Sequence, residues 1–273
     1  MLPGLRYSLV RFSPLSSRAF VTAVLAALIG TACRVSLSPL QNHLAPGEEP
    51  FAVFVANGEG GTGDLFAVRA EGGVSYPITY TRVRELAPAL APTGTSLAFL
   101  REAVAGDPAT RRVVVMNLLN GSERILPAVE APIDALAWDP GGVQLFLRAG
   151  STTYAVPAPP AEGAPRRLDP TQVPIADSAF SVLLGTPAFA RAVECPEVGV
   201  CIELPSGERS VLDQEGRGAA RWGSDSVGYF VGNHFVVRPL GAGHARELRF
   251  TPPRAEPREL TFFPGPPPAP APQ

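Results

Sequence analysis

The sequence contains no lysine at all, and cysteine and histidine occur only three times each. The absence of lysine excludes the phosphate-binding loop of the Gly-x-x-x-x-Gly-Lys type, because that loop needs the lysine ammonium group. Neither a Gly-x-Ser-x-Gly elbow nor a His-Glu-x-x-His motif is present, so two common hydrolase signatures are missing. A net charge of -2 provides no general field that attracts nucleic acid. We therefore expect no catalytic residue, no cofactor, no metal ion and no nucleic acid partner.

The visible candidates for acid–base or metal chemistry are scattered along the chain. They are three histidines and two carboxylate pairs, namely His43, His234, His244, Glu48-Glu49 and Asp134/Asp139. No ligand spacing connects the histidines, which favours surface or turn positions over a metal site. Asp139 lies at a predicted turn, where aspartate side chains commonly accept backbone hydrogen bonds. Glycoside chemistry on paired carboxylates stays open, because folding can bring loops that are distant in sequence together.

The N-terminus has the pattern of an export signal. The basic residues Arg6, Arg11 and Arg18 precede an apolar run over Ala19–Ile29. Small residues follow this run. The run is shorter than the roughly 20 residues that a membrane-spanning helix needs. We predict a signal peptide over residues 1–32.

The end of this signal, Ile29-Gly-Thr-Ala-Cys33, resembles the lipobox of bacterial lipoproteins. The resemblance implies cleavage before Cys33, lipidation of that cysteine and anchoring in a membrane of the cell envelope, on its periplasmic or extracellular side. Gly30 departs from the usual aliphatic residue of the box. Cleavage after Ala32 by ordinary signal peptidase is the alternative reading.

The other two cysteines lie close together, in Cys195-Pro-Glu-Val-Gly-Val-Cys201. Proline and glycine between them favour a turn that brings the two sulfur atoms face to face. In an oxidising compartment such a pair predicts a disulfide. A metal pair or two reduced core thiols are the alternatives.

A repeating pattern of strands fills most of the remaining chain. One half-repeat occurs at residues 89–100, 135–147 and 219–231, and a degraded copy occurs at Ala179–Ala190. Each copy joins two apolar strands through a turn. With 31 prolines and 27 glycines, the composition favours many short elements joined by turns. A strand-only repeat of roughly 40 to 50 residues predicts an all-β propeller of about five four-stranded blades, with six as the alternative. Trp138 and Trp222 hold similar places in the repeat, which predicts a role in the core between blades.

The segment Ala135-Leu-Ala-Trp-Asp-Pro-Gly-Gly-Val-Gln-Leu-Phe146 is similar to the WD40-like repeats of TolB-type propellers. In those repeats a Trp-Ser-Pro-Asp-Gly turn precedes an apolar strand, and Leu97-Ala-Phe99 matches that strand. The resemblance spans about residues 51–250, and it implies a scaffold that binds proteins or other ligands.

These patterns divide the chain into a signal peptide (1–32), a lipidated cysteine with a tether (33–50), a propeller (51–263) and a Pro-rich tail (264–273). The first blade lacks a partner strand before Phe51, so we expect Arg258–Phe263 to return and complete it. The expected function is non-catalytic binding of a protein or an envelope polymer by a membrane-anchored monomer. The loops at Arg101–Thr110 and Ala158–Pro165 are the first candidates for a binding surface. The competing hypothesis is an extracellular hydrolase or lyase that acts on glycans or peptides.

Overall fold

The computed structural model describes residues 38–57, 62–169, 191–195, 199–203, 208–222, 226–232, 234–239, 246–248, 250–251 and 257–266. Several sequence predictions concern other parts of the chain. The signal peptide, Cys33, the degraded half-repeat Ala179–Ala190 and residues 267–273 of the tail lie outside the described residues.

The described strands form five antiparallel sheets that correspond to five blades. Blade 1 has the order β21 (Arg258–Phe263), β1 (Phe51–Ala56), β2 (Asp64–Arg69), β4 (Tyr76–Pro77). Blade 2 has β5 (Arg84–Leu90), β6 (Ser96–Glu102), β7 (Arg111–Asn117), β8 (Glu123–Ile125). Blade 3 has β9 (Ala135–Trp138), β10 (Gln144–Ala149), β11 (Thr152–Pro157), β12 (Arg166–Arg167). In blade 4 the described strands are β13 (Arg191–Cys195), β14 (Gly199–Glu203) and β15 (Arg209–Asp213). Blade 5 has β16 (Gly216–Trp222), β17 (Ser226–Val231), β18 (His234–Pro239) and β19 (Arg246–Leu248).

Two short elements complete the described fold. β3 (Gly73–Val74) and β20 (Phe250–Thr251) form a parallel pair, and a 3-10 helix spans Pro108–Thr110. No helix in the described part of the chain is long and apolar enough to cross a membrane. The predicted all-β propeller of about five blades is confirmed.

The core lies between neighbouring blades, because each blade is apolar on both of its faces. In β1, Phe51 and Val53 pack toward blade 2, whereas Ala52 and Phe54 pack toward blade 5. Successive strand side chains point to opposite sides of a sheet. A strand that is covered on both sides therefore has the continuous apolar sequence that β1 shows, with every residue buried.

The C-terminal strand β21 closes the ring. It pairs antiparallel with β1, with Phe263 opposite Phe51 and Phe262 opposite Ala52. The expected return of this segment to the first blade is confirmed. Pairing removes the open edge that β1 would otherwise expose.

Three of the innermost strands carry the same bulge. In each, a residue with positive φ and the residue after it lie opposite one aromatic residue of the next strand; the positive-φ residues are Ala87 in β5 (φ 48), Gly218 in β16 (φ 59) and Glu259 in β21 (φ 52). The backbone N–H of Ala87 donates to the carboxylate of Glu259. The bulges of blades 1 and 2 are thereby joined near the axis of the propeller.

We name the two sides of the propeller by the direction of its innermost strands, which begin at the upper face and end at the lower face. Because strands alternate in direction, the connections between first and second strands and between third and fourth strands lie on the lower face. The connections between second and third strands and between blades lie on the upper face.

Residues 38–50 pack on the lower face of blades 1 and 2. Leu40 and Leu44 are buried in the core between these blades. Ser38 donates its hydroxyl to the Leu118 carbonyl at 2.6 Å, and the ring of His43 stacks on Tyr76 with centroids 4.3 Å apart. This part of the predicted tether is therefore a packed segment of the folded body, because its two leucines fill the gap between two blades.

The two tryptophans are buried between blades but face opposite neighbours. Trp138 packs toward blade 2 and donates Nε1–H to the Ala89 carbonyl at 2.8 Å. Trp222 packs toward blade 1 and stacks on Phe262, with centroids 3.9 Å apart. Their role between blades is confirmed, but their positions in the repeat are not equivalent.

Candidate functional site

Among the described residues, the most concentrated group of buried polar side chains lies between blades 1 and 2, toward the upper face. Asp64 begins β2, Glu85 lies near the start of β5 and Arg101 near the end of β6. The side chains of Asp64 and Glu85 are 3% and 0% exposed. Carboxylates are almost never buried to this degree without partners, so the contacts of this cluster define what it does.

Glu85 is held by an arginine and a threonine. Arg101 donates to its Oε1 from Nη2 at 2.8 Å and from Nε at 3.1 Å, and the Thr79 hydroxyl donates to its Oε2. The pKa of Glu85 lies above its ordinary value, mainly because burial disfavours the charged carboxylate, and the nearby charge of Asp64 adds to this. The hydrogen bonds from Thr79 and Arg101 oppose this rise.

Asp64 is connected to the same cluster through Thr81. The backbone N–H of Thr81 donates to Asp64 Oδ1 at 2.9 Å. The Thr81 hydroxyl donates to the Val83 carbonyl at 3.0 Å and lies 3.4 Å from Glu85 Oε1. Two carboxylates therefore converge between blades 1 and 2. Both are closed off from solvent by the packing around them.

Arg101 extends this cluster to the outer edge of blade 2. Its guanidinium lies over the Phe99 ring, 5.2 Å from the centroid, and donates to Glu123 at 2.6 Å and 2.9 Å. Burial lowers the pKa of Arg101, but the hydrogen bonds to Glu123 and Glu85 outweigh that effect and raise it above its usual range. Beside Glu123 runs an open cleft of about 200 Å³, whose lining includes Thr79, Thr81 and the 81% exposed Tyr80.

A third buried carboxylate, Glu102, fixes the first candidate loop. Arg111 donates to it at 2.9 Å, Arg84 lies 3.6 Å from it, and the backbone N–H of Gly106 donates at 2.6 Å. Burial raises the pKa of Glu102. The Gly106 hydrogen bond and the two arginines lower it by more, so the pKa lies below its ordinary value. The loop Arg101–Thr110 is therefore held to the end of its own blade.

The second candidate loop, Ala158–Pro165, lies on the lower face. The backbone N–H of Ala158 donates to the Val143 carbonyl, and Glu162 pairs with Arg124 at 2.6 Å. The two loops are thus on opposite faces and do not form one site.

Two buried polar atoms on the upper face have no hydrogen-bond partner in the described part of the chain. They are Nε of Arg258, at the start of the innermost strand of blade 1, and the hydroxyl oxygen of Thr62. Thr62 and Arg258 are close to each other. Gly63, the residue after Thr62, lies so near Arg258 that a methyl group added to it would be 3.0 Å from Arg258 Nη2. A buried donor without a partner marks a place that another group can complete.

The other predicted site residues have local roles and do not meet. Asp139 accepts backbone hydrogen bonds from Val143 and Gln144 in its turn, and Asp134 pairs with Arg148 at 3.0 Å. Glu49 pairs with Arg69 at 3.2 Å. Among the described residues, no group of three or more His, Cys, Asp or Glu side chains is arranged to hold a metal ion.

Cys195 and Cys201 are joined by a disulfide between β13 and β14, with their Cα atoms 5.8 Å apart. This separation is within the ordinary range for a disulfide. His234 begins β18, and His244 lies outside the described residues.

The sequence signal for the Asp64–Glu85–Arg101 cluster was weak. These residues come from three different strands, and each is preceded or followed by ordinary turn or strand residues. Glu85 follows Arg84, and Arg101 precedes Glu102. Each therefore stands in a charged pair at the end of an apolar stretch, where exposure is the ordinary expectation.

Comparisons with known proteins identify the fold. No family model matches the chain, and no characterised protein matches it by sequence. A crystal structure of TolB from Acinetobacter baumannii matches it with a TM-score of 0.51 and 12% identity, over 92% of this chain and 74% of that one. A structure assigned to TolB from Agrobacterium tumefaciens gives a TM-score of 0.36 at 12% identity, over 73% of this chain and 61% of that one. The tricorn protease gives 0.31 at 13% identity, over 72% of this chain and 15% of that one. The chain has the fold of a TolB-like β-propeller.

Proposed function

We propose that this chain is an exported, lipid-anchored propeller that binds a protein or another ligand of the cell envelope and does not catalyse a reaction. In this proposal Cys33 carries the lipid, and the upper face around Arg258 is the binding surface. The anchored protein is a monomer.

Among the residues that the structure describes, Nε of Arg258 is a buried donor without a hydrogen-bond partner, and this observation carries the binding proposal. Leaving a buried donor without an acceptor costs about 1–3 kcal/mol, and more when the group is charged. A ligand that brings a carboxylate or another acceptor to this position would recover that energy. Arginine suits such contacts because its planar guanidinium holds acceptor pairs in fixed geometry.

The contacts of the buried carboxylates support a scaffold. Glu85 and Glu102 are fully buried and bound to arginines, threonine or backbone. In these positions they join strands and loops within the blades and between blades 1 and 2. Rigid blades that present variable loops are a common basis for binding.

The pattern of the N-terminus supports export and anchoring. A basic leader, an apolar run of signal length and small residues before Cys33 follow one another in the order that export signals have. A packed segment then begins at Ser38, only five residues after that cysteine.

A crosslinking pull-down from bacterial membranes tests the proposal. The native chain should be in the membrane fraction and capture a defined partner, whereas Cys33→Ser should appear in the soluble fraction. If Cys33→Ser remains with the membrane, lipidation is not the anchor.

An arginine substitution tests the binding surface. Arg258→Met keeps an unbranched side chain similar to the aliphatic part of arginine but removes the guanidinium and its donors, so the captured partner should be lost. Arg124→Met is the matched control, because Arg124 pairs with Glu162 of the lower-face loop at 2.6 Å. Equal capture by both variants would place the binding surface elsewhere, provided that both melt like the native protein.

The convergence of Asp64 and Glu85 favours a second candidate function, that of a hydrolase or lyase acting on glycans or peptides. A carboxyl with a raised pKa beside a second carboxylate is an arrangement that glycosidases use. The burial of both groups opposes this function in the conformation described. Turnover of an envelope glycan or peptide by the native protein, lost in Glu85→Gln while the fold is retained, would establish it.

A further inference from the structure

The N-terminal segment of the folded body is attached to one face of the propeller. Ser38 bonds the carbonyl of Leu118 in the turn between β7 and β8, which lies on the lower face. Gly47 lies against the turn between β5 and β6 on the same face, since a methyl group there would come within 2.7 Å of the Thr95 side chain. His43 stacks on Tyr76, at the lower end of blade 1.

This attachment is strong enough to fix where the chain enters the propeller. Leu40 and Leu44 are 0% and 6% exposed and belong to the core between blades 1 and 2. Burying a leucine side chain stabilises by about 1.5–3 kcal/mol. Two such side chains, with the Ser38 hydrogen bond, hold the entry point at the lower face.

The chain between Cys33 and Ser38 is short. Five residue steps span at most about 18 Å even when fully extended. A seven-residue strand such as β6 rises by about 23 Å. The upper end of a blade is therefore farther from the entry point than the whole linker can reach.

Exposed apolar side chains also occur on the lower face. Val74, Leu119 and Val143 lie in three of its connections, which join β2 to β4, β7 to β8 and β9 to β10, and they are 57%, 56% and 63% exposed. Val104 and Tyr80 are exposed toward the upper face, and Ile125 and Val211 on outer strands. The lower face thus combines the entry point of the chain with three exposed apolar residues in blades 1, 2 and 3.

We infer that the lower face rests on the lipid surface in which Cys33 is anchored, so that the upper face and Arg258 point away from the membrane. This inference depends on the proposed lipidation of Cys33. Its partner is the headgroup and upper acyl region of the membrane, into which Val74, Leu119 and Val143 dip. The short linker keeps the propeller in this orientation and presents the upper face to partners.

A pair of labelling positions tests the orientation. Leu119→Cys on the lower face and Val104→Cys on the upper face are matched in exposure, at 56% and 57%. Each variant is purified with its native lipid, labelled with a fluorophore and placed in phosphatidylethanolamine–phosphatidylglycerol vesicles that contain nitroxide-headgroup lipid. The label at position 119 should be quenched by the lipid and shielded from an aqueous quencher, and the label at 104 should show the reverse.

Mass analysis of Cys33 in the same samples separates the outcomes. If Cys33 is lipidated and position 104 is quenched as much as 119, the orientation is wrong and the anchor stands. If Cys33 carries no lipid, the anchor and the orientation both fail. Inserting a long Gly-Ser segment after Arg34 should remove the difference between the two labels, because the linker then no longer restricts the propeller.

Discussion

Removing the closing strand β21 should unfold the propeller. A chain that ends at Thr251 keeps β20 but loses the innermost strand of blade 1 and its pairing with β1. It also loses Phe262 and Phe263, which are 8% and 3% exposed. Deleting a buried phenylalanine side chain costs about 3–5 kcal/mol. The two together amount to roughly 6–10 kcal/mol, which is most of the 5–15 kcal/mol that stabilises an ordinary domain.

The assay compares thermal and urea unfolding of three chains by circular dichroism. The chain that ends at Thr251 should lack a cooperative transition or melt far below the full chain. A second chain that ends at Pro266 keeps β21 and should unfold like the full protein. If the shorter chain unfolds at the same midpoint as the full chain, β21 does not close the ring and the packing described here is wrong.

Three further predictions concern single features. Trp138→Phe removes the Nε1–H donor to Ala89 and should destabilise by about 1–3 kcal/mol in urea unfolding; an unchanged midpoint would mean that this bond between blades contributes nothing. Glu102→Gln should destabilise at neutral pH, and because the folded pKa of Glu102 lies below its ordinary 4.5, the native advantage is present above pH 4.5 and is lost as the pH falls through the folded value. A gap between the two proteins that persists at lower pH would contradict this assignment. Replacing both Cys195 and Cys201 by alanine should cost about 2 kcal/mol, because the disulfide closes only a short loop; equal unfolding of native and variant protein under oxidising conditions would show that the bond is not formed.

The repeat made the fold predictable from the sequence. Each apolar strand pair, such as residues 89–100 and 135–147, specifies the same sheet-forming unit. A copy with a weak pattern can therefore be identified by its similarity to the other copies. The return of Arg258–Phe263 was predictable because β1 would otherwise expose an unpaired edge.

The neighbouring blade toward which each tryptophan points was not predictable from its place in the repeat. Trp138 lies opposite Leu145, and Trp222 lies opposite Ser226. The connection that follows Trp222 is therefore three residues shorter than the one that follows Trp138. An odd change of register places a side chain on the other side of the sheet. Sequence similarity of the two turns does not reveal this difference.

The packed N-terminal segment and the polar cluster were missed for the same physical reason. Leu40 and Leu44 stand in a polar, proline-containing stretch, and only the gap between two blades gives them a place to be buried. Asp64, Glu85 and Arg101 meet through long-range pairing of three strands. Such contacts depend on tertiary structure, which local patterns do not encode.

Mass analysis of the N-terminal peptide from membrane-extracted protein tests the central claim, that this propeller is anchored through Cys33. The mature chain should begin at Cys33 and carry a diacylglyceryl group on its sulfur. A mature chain that begins at Cys33 without lipid, or one that retains the leader, would contradict the claim.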